Sequence, residues 1–271
     1  MALERRSFLL GALGGVAAGA ASGLCAGLAR PSEKHATPGV TEFGTASYAQ
    51  QGEDLVLKNF FGYLQIPHPT YIDIGAHDPI WGNNTYLFYR TGSHGVLVEP
   101  NPDLTPKLRK VRPDDTVLEI GIGAKADDEE VDYYLIEGDG QLNTFSLARR
   151  DELRAGHAVF KGVIKRKLVN INKVLAQYFP TRAPDLFSTD TEGYDFTILS
   201  TLDFERFRPR VFCVETVQGY RIEQDIVDLL KSKDYELRGG SFVNTMFVDN
   251  RYVAELEKRA VAGDAGAVSP G

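Results

Sequence analysis

The chain has only two cysteines. Cys25 falls in an apolar amino-terminal stretch and Cys213 in the run "RVFCVET", so a chain without that stretch has no intramolecular disulfide. Neither cysteine has His or Cys neighbours at zinc spacing, and no bound metal is expected. Excess positive charge is missing too. With 37 acidic against 30 basic residues the net charge is −7, which argues against a nucleic-acid or anionic-membrane partner. Past the amino-terminal stretch no apolar run is long enough to cross a bilayer. No solenoid-period repeat occurs, and the G-x-G-x-x-G turn of dinucleotide-binding folds is absent. At 271 residues there is room for one sizeable domain.

What the chain does have begins with a leader. Arg5 and Arg6 precede "SFLLGALGGVAAGAASGLCAGLA", a weakly apolar run closed by small residues. Residues 1–29 have the parts of a secretory signal of the twin-arginine class, which exports folded proteins. An uncleaved membrane anchor is the alternative, and the leader is then the chain's one route to a membrane. A cytoplasmic chain is a third reading. Residues 30–46 read as a flexible spacer, 47–258 as the folded domain and 259–271 as a frayed tail.

Within the domain, short apolar runs alternate with helical segments. "TYIDIG", "GVLVEPN", "TVLEIGIG", "PDLFSTD" and "RVFCVET" read as strands apolar throughout, and "YELRGG" and "NTMFVDN" as a closing pair. "GEDLVLKNFFGYL" reads as a helix with Leu55, Phe60 and Tyr63 on one face, and "EVDYYLIEG" with "QLNTFSL" as a hairpin or edge pair. The basic stretch "KGVIKRK" reads as a solvated edge strand. Such a pattern predicts an α/β fold: a doubly wound, mainly parallel Rossmann-like sheet covered on both faces, with an antiparallel edge strand. Its ligands bind beyond the carboxyl ends of the strands, where the strand order reverses.

Polar residues gather at those ends: Asp73 and Gly75, Glu99, Gly121, Asp190 with Glu192, and Glu215. Gly75 permits a tight turn and close approach of a ligand to backbone. Glu99, at the end of the second strand, is placed to accept both hydroxyls of a ribose. A ribose-holding acid without a diphosphate turn points to S-adenosylmethionine, with its adenine near Gly121. Trp81 offers an exposed aromatic wall for a sugar.

The segments "SYAQQGEDLVL", "YIDIGAHDPIWGNNTYLFYRTGSHGVLVEPNP", "EIGIGAKADDEEVDYYL" and "DLFSTDTEGYDFTIL" resemble, in order and spacing, the FkbM-type methyltransferases, from about Ser47 to about Asp249. The resemblance implies a class I S-adenosylmethionine-dependent fold and O-methylation of a sugar, glycan or secondary-metabolite hydroxyl. It makes Asp73, Gly75, Ala76 and His77 donor-loop residues and Glu99 the ribose acid. Gln51 and Glu53 belong to a segment over the cofactor, and Asn84 to a recurring polar pair with Thr85. Pro79 departs from the pattern, standing where many class I enzymes have a third loop glycine. For methyl transfer to an oxygen, Asp190 and His77 are the candidate bases. Trp81, Asn84, Glu192 and Glu215 are the candidate acceptor contacts. The competing reading is an exported, non-catalytic ligand-binding protein that retains the fold.

Overall fold

The computed structural model describes residues 45–218 and 221–261. The signal-like leader, nearly all of the spacer, and the tail from residue 262 lie outside the described residues. Among the described residues no helix is long and apolar enough to cross a membrane.

The chain enters through α1 (Glu53–Tyr63), β1 (Tyr71–Ile74), α2 (Tyr86–Arg90), β2 (Gly95–Val98), α3 (Thr105–Val111) and β3 (Thr116–Leu118). An excursion follows: β4 (Gly121–Gly123), β5 (Glu129–Ile136), α4 (Leu147–Ala155), β6 (Phe160–Asn170) and α5 (Ile171–Tyr178). The chain then returns through β7 (Leu186–Thr189), α6 (Asp195–Ser200), β8 (Val211–Glu215), the short pair β9 (Val217–Gln218) and β10 (Arg221–Ile222), and α7 (Gln224–Ser232). It closes with β11 (Tyr235–Gly240), β12 (Asn244–Asp249) and α8 (Asn250–Val261).

The main sheet has seven strands in the order β11-β12-β8-β7-β1-β2-β3. Pairing is parallel from β8 to β3, and β12 runs antiparallel to both β8 and β11, so the expected antiparallel edge is present. Strands β1 and β7 are buried along their whole length, the burial that continuous apolar runs predict for a sheet covered on both faces. One core lies on each side. Ile72, Ile74, Phe187, Phe212 and Phe247 pack into the first, and Tyr71, Leu97, Leu186, Cys213 and Met246 into the second. The chain builds outward from β1 to β3 and then resumes on the other side of β1 with β7. The order therefore reverses between β1 and β7, and the two strands open a crevice at their carboxyl ends.

Four local readings are corrected. The run "TVLEIGIG" is two strands in different sheets: β3 ends the main sheet, and β4 pairs with β6 in a three-stranded sheet ordered β4-β6-β5. Strand β5 pairs with β6 rather than with "QLNTFSL", which contributes one bridge, Tyr134 to Thr144. "KGVIKRK" lies in β6, the central strand of that small sheet and not an edge, with Lys165 and Lys167 paired to Asp132 and Asp128. Finally, α1 buries Glu53, Asp54, Leu57 and Phe61, while Tyr63 is exposed. Its two acids face inward because they cap the preceding backbone. Asp54 accepts from Ser47 Oγ and Tyr48 N, and Glu53 from Gln51 N. That rotates the helix away from the face that its apolar residues alone indicate.

Candidate active site

Gly75 ends β1 with φ +85°, and a Cβ built there would sit 1.9 Å from the carbonyl oxygen of Asp190. Two strand ends thus approach so closely that only glycine fits between them. The register is held by Asp190 N donating to Ile74 O (3.0 Å), and by Gly75 N and Ala76 N donating to Val98 O (2.9 and 3.2 Å). The loop turns next at His77, whose φ of 46° is unusual for a residue with a side chain.

The crevice holds a partly open cavity. Gly75, His77, Glu99, Gly121, Asp190 and Glu192 line it, so six of the expected site residues meet on one wall system. Glu99 is 3 % exposed, and its two oxygens accept from His77 N (2.9 Å) and Asn101 N (2.8 Å). One bond at each oxygen leaves further acceptor capacity for a ligand. Burial, acting first, pushes the Glu99 carboxyl above its usual range against the pull of those two amides.

Carboxylate oxygens of Asp190, Glu192 and Glu215 lie within 4.8 Å of one another, and the first two residues line the cavity. Arg149 supplies the facing positive charge, with Nη2 2.9 Å and Nε 3.1 Å from Glu192 Oε2. Glu192 holds a φ of 53°, and Thr144 Oγ1 donates to its carbonyl oxygen at 3.0 Å. Burial is the largest effect on Asp190, followed by the charges of Asp195 and Glu192, and its carboxyl is raised to about 7. Burial and then Asp190 drive Glu215 still higher. Burial and mutual repulsion thus push all three carboxyls of the group upward.

The remaining expected residues lie elsewhere. Asp73 is buried beneath the floor, accepting from Thr85 Oγ1 at 2.8 Å, and Ala76 packs in the core below the loop. Asn84 faces inward, its nitrogen 3.3 Å from Ser188 Oγ and 3.7 Å from Cys213 Sγ. Gln51 accepts from Phe242 N and Glu53 from Asn244 Nδ2, so both fasten the amino-terminal segment to β12 and the loop before it rather than to the cavity. Trp81 is 70 % exposed and is not part of the cavity wall. His77 is, and its Nε2 donates to Asp139 O at 3.0 Å.

Sequence reasoning missed the aromatic part of the wall. The excursion between β4 and β6 supplies Tyr133, Gly140, Asn143 and Phe145, and the loop after β7 adds Tyr194. The rings of Tyr133 and Phe145 have centroids 4.5 Å apart, and Phe145 presses on Gly121, where a Cβ would meet it at 2.6 Å. The aromatics in "VDYYLIEGDGQLNTF" were the available signal.

The sequence matches the methyltransferase FkbM domain family over residues 73–237, more than half of the chain. The match spans β1 to β11 and takes in Glu99 and Asp190. The protein is a doubly wound α/β methyltransferase. It belongs to the FkbM methyltransferase family. No curated protein matches the chain. Among solved structures, a TehB-like SAM-dependent methyltransferase from Corynebacterium glutamicum aligns at 11 % identity and a TM-score of 0.39, covering 74 % of this chain and 89 % of that one. A precorrin-6y C5,15-methyltransferase from Geobacter metallireducens aligns at 13 % identity and a TM-score of 0.38, covering 76 % and 93 %. A putative O-methyltransferase from Klebsiella pneumoniae aligns at 10 % identity and a TM-score of 0.40, covering 78 % and 84 %.

Proposed function

We propose that the protein transfers a methyl group from S-adenosylmethionine to a hydroxyl oxygen of a sugar, glycan or secondary metabolite. The observation that carries this reading is the meeting of Glu99, the Gly75 turn and Asp190 around one cavity at the strand reversal. Gly75 on the cavity wall and the acceptor capacity of Glu99 suit a nucleoside with an amino-acid tail. Tyr133, Phe145 and Tyr194 offer apolar faces to a base beside Gly121.

The donor supplies an activated methyl carbon whose leaving group is a neutral thioether and needs no proton. The acceptor oxygen forms the new C–O bond as the C–S bond breaks, and the hydroxyl proton passes to Asp190. What the chain contributes is chiefly placement. In well-oriented intramolecular reactions positioning supplies about 7–11 kcal/mol, more than the roughly 10²–10⁴-fold from a general base. Arg149 keeps Glu192 paired, so the negative charge beside Asp190 is partly neutralised before it takes the proton.

Calorimetric titration with S-adenosylmethionine tests the donor. Saturable binding below millimolar concentration is expected, and no heat at millimolar ligand sinks the reading. Release of S-adenosylhomocysteine on addition of hydroxylated acceptors tests the transfer itself. Binding without any release across a panel of sugars and glycans is the result expected of a ligand-binding protein that keeps the fold.

The leader belongs to the same proposal. A signal-like start favours export or anchoring, whereas the donor is supplied in the cytoplasm, and the enzyme is proposed to work where the donor is. Fractionation of the host with sequencing of the amino-terminal residue is expected to find the active chain in the cytoplasmic fraction. An active chain found only in the envelope, starting after residue 29, contradicts that placement.

A further inference from the structure

We infer that Asn83, held by the buried guanidinium of Arg112, is a positioning residue that sets the shape of the loop after β1 before the donor arrives. The inference rests on the donor reading of the cavity. Asn83 is 2 % exposed and Arg112 is wholly buried. The Asn83 side-chain nitrogen donates to two loop carbonyls, Ala76 O and Asp78 O, each at 3.1 Å. Its oxygen accepts from Thr85 N (3.0 Å), Tyr86 N (2.8 Å) and Arg112 Nη1 (2.9 Å). Donors on one side and carbonyls on the other leave the amide a single orientation.

Arg112 fixes that oxygen from the core. Its other donors go to Asp115 Oδ2 (2.7 Å), Tyr71 OH (2.8 Å) and Thr85 Oγ1 (3.0 Å). Thr85 in turn donates to Asp73 Oδ2. One cation therefore ties the carboxyl end of α3, the start of α2 and strand β1 to the same point beneath the loop. The planar fork of arginine reaches separate partners in a way that the single nitrogen of lysine does not. From the cavity side the loop is held by Glu99, which accepts the His77 amide. Its carbonyls are drawn down to Asn83 and its amide across to Glu99. A loop fastened on both sides meets a ligand without a further ordering cost.

Asn83→Asp keeps the oxygen that faces Arg112 and removes both N–H donors to the loop. Its expected effect is a donor Kd raised about ten-fold or more, with kcat at saturating donor within about two-fold of wild type. A role in stability alone lowers Tm and leaves that split absent. A folded Asn83→Asp protein with wild-type donor affinity overturns the inference. Amide hydrogen exchange on the donor-free wild-type protein tests it without a variant. The amides of Gly75, Ala76 and His77 are expected to be protected already, changing less than about ten-fold when donor is added. Free exchange that slows only on donor addition overturns the inference, including where Asn83→Asp does not fold. If the wild-type protein binds no donor, the donor reading falls, and the exchange in donor-free protein still reports whether the loop is set in advance.

Discussion

Asp190→Asn is expected to lower turnover by about 10²–10⁴-fold while donor affinity stays within about three-fold of wild type. The residue follows β7 on the cavity wall, and its backbone is fixed by the bond to Ile74 O, so an isosteric amide leaves the crevice intact. What the amide lacks is the ability to take the acceptor's proton. Single-turnover rates at saturating donor are the measurement, and an undiminished rate removes Asp190 from the chemistry. With the Asp190 carboxyl raised to about 7, wild-type kcat is expected to climb with pH through neutrality, and the variant's residual rate is expected to lose that step.

The same carboxyl makes a stability prediction with the opposite sign. Its pKa in the folded chain lies above the roughly 3.9 of an unfolded aspartate, so the folded state favours the protonated acid. The associated stability is fully present below about pH 4 and is lost as pH rises through about 7. Asp190→Asn carries no such loss. The variant is expected to match wild type in thermal denaturation at pH 4 and to exceed it at pH 8, by about 2–4 °C for each kcal/mol released.

The main sheet was legible because a strand covered on both faces has little option but to be apolar throughout. "YIDIG", "GVLVEPN" and "RVFCVET" announce β1, β2 and β8, and the polar residue closing each run marks the carboxyl end. The excursion was legible only in part: β5 and β6 were read as strands, but α4 and their pairing were not, for the converse reason. Helix α4 buries no residue and has no apolar stripe to read, and β6 alternates between exposed and half-buried positions. The wall it supplies, Tyr133 to Phe145, thus went unassigned. Asn84 was chosen from "NNTY" where Asn83 holds the loop, because the partner that distinguishes them, Arg112, comes 29 residues later and leaves no local pattern. Asp73 was read as a strand-end acid, but it lies within β1 and its side chain accepts from Thr85 Oγ1 rather than lining the cavity. Position along a strand can be read from periodicity, whereas the direction in which an end residue projects depends on partners from other elements.

Glu99→Ala is expected to weaken S-adenosylmethionine binding by about 10–150-fold, the range that corresponds to losing hydrogen bonds to a charged group worth roughly 1.5–3 kcal/mol. Two losses contribute. The ligand loses an acceptor on the cavity wall, and the His77 amide loses the oxygen that it meets at 2.9 Å. They are separable with Glu99→Gln. Its carbonyl oxygen can still accept the His77 amide, but its amino group faces the Asn101 amide, where an acceptor is required. If Glu99 acts through the ligand's hydroxyls, a donor analogue lacking the ribose 2′-hydroxyl loses less affinity on Glu99→Ala than S-adenosylmethionine does, because one of the bonds is already missing. If Glu99 acts only by shaping the loop, the variant discriminates against the analogue as strongly as wild type does. Competition calorimetry with both ligands on both proteins closes the cycle. A coupling of zero between the side chain and the hydroxyl means that the ribose is not held at the end of β2.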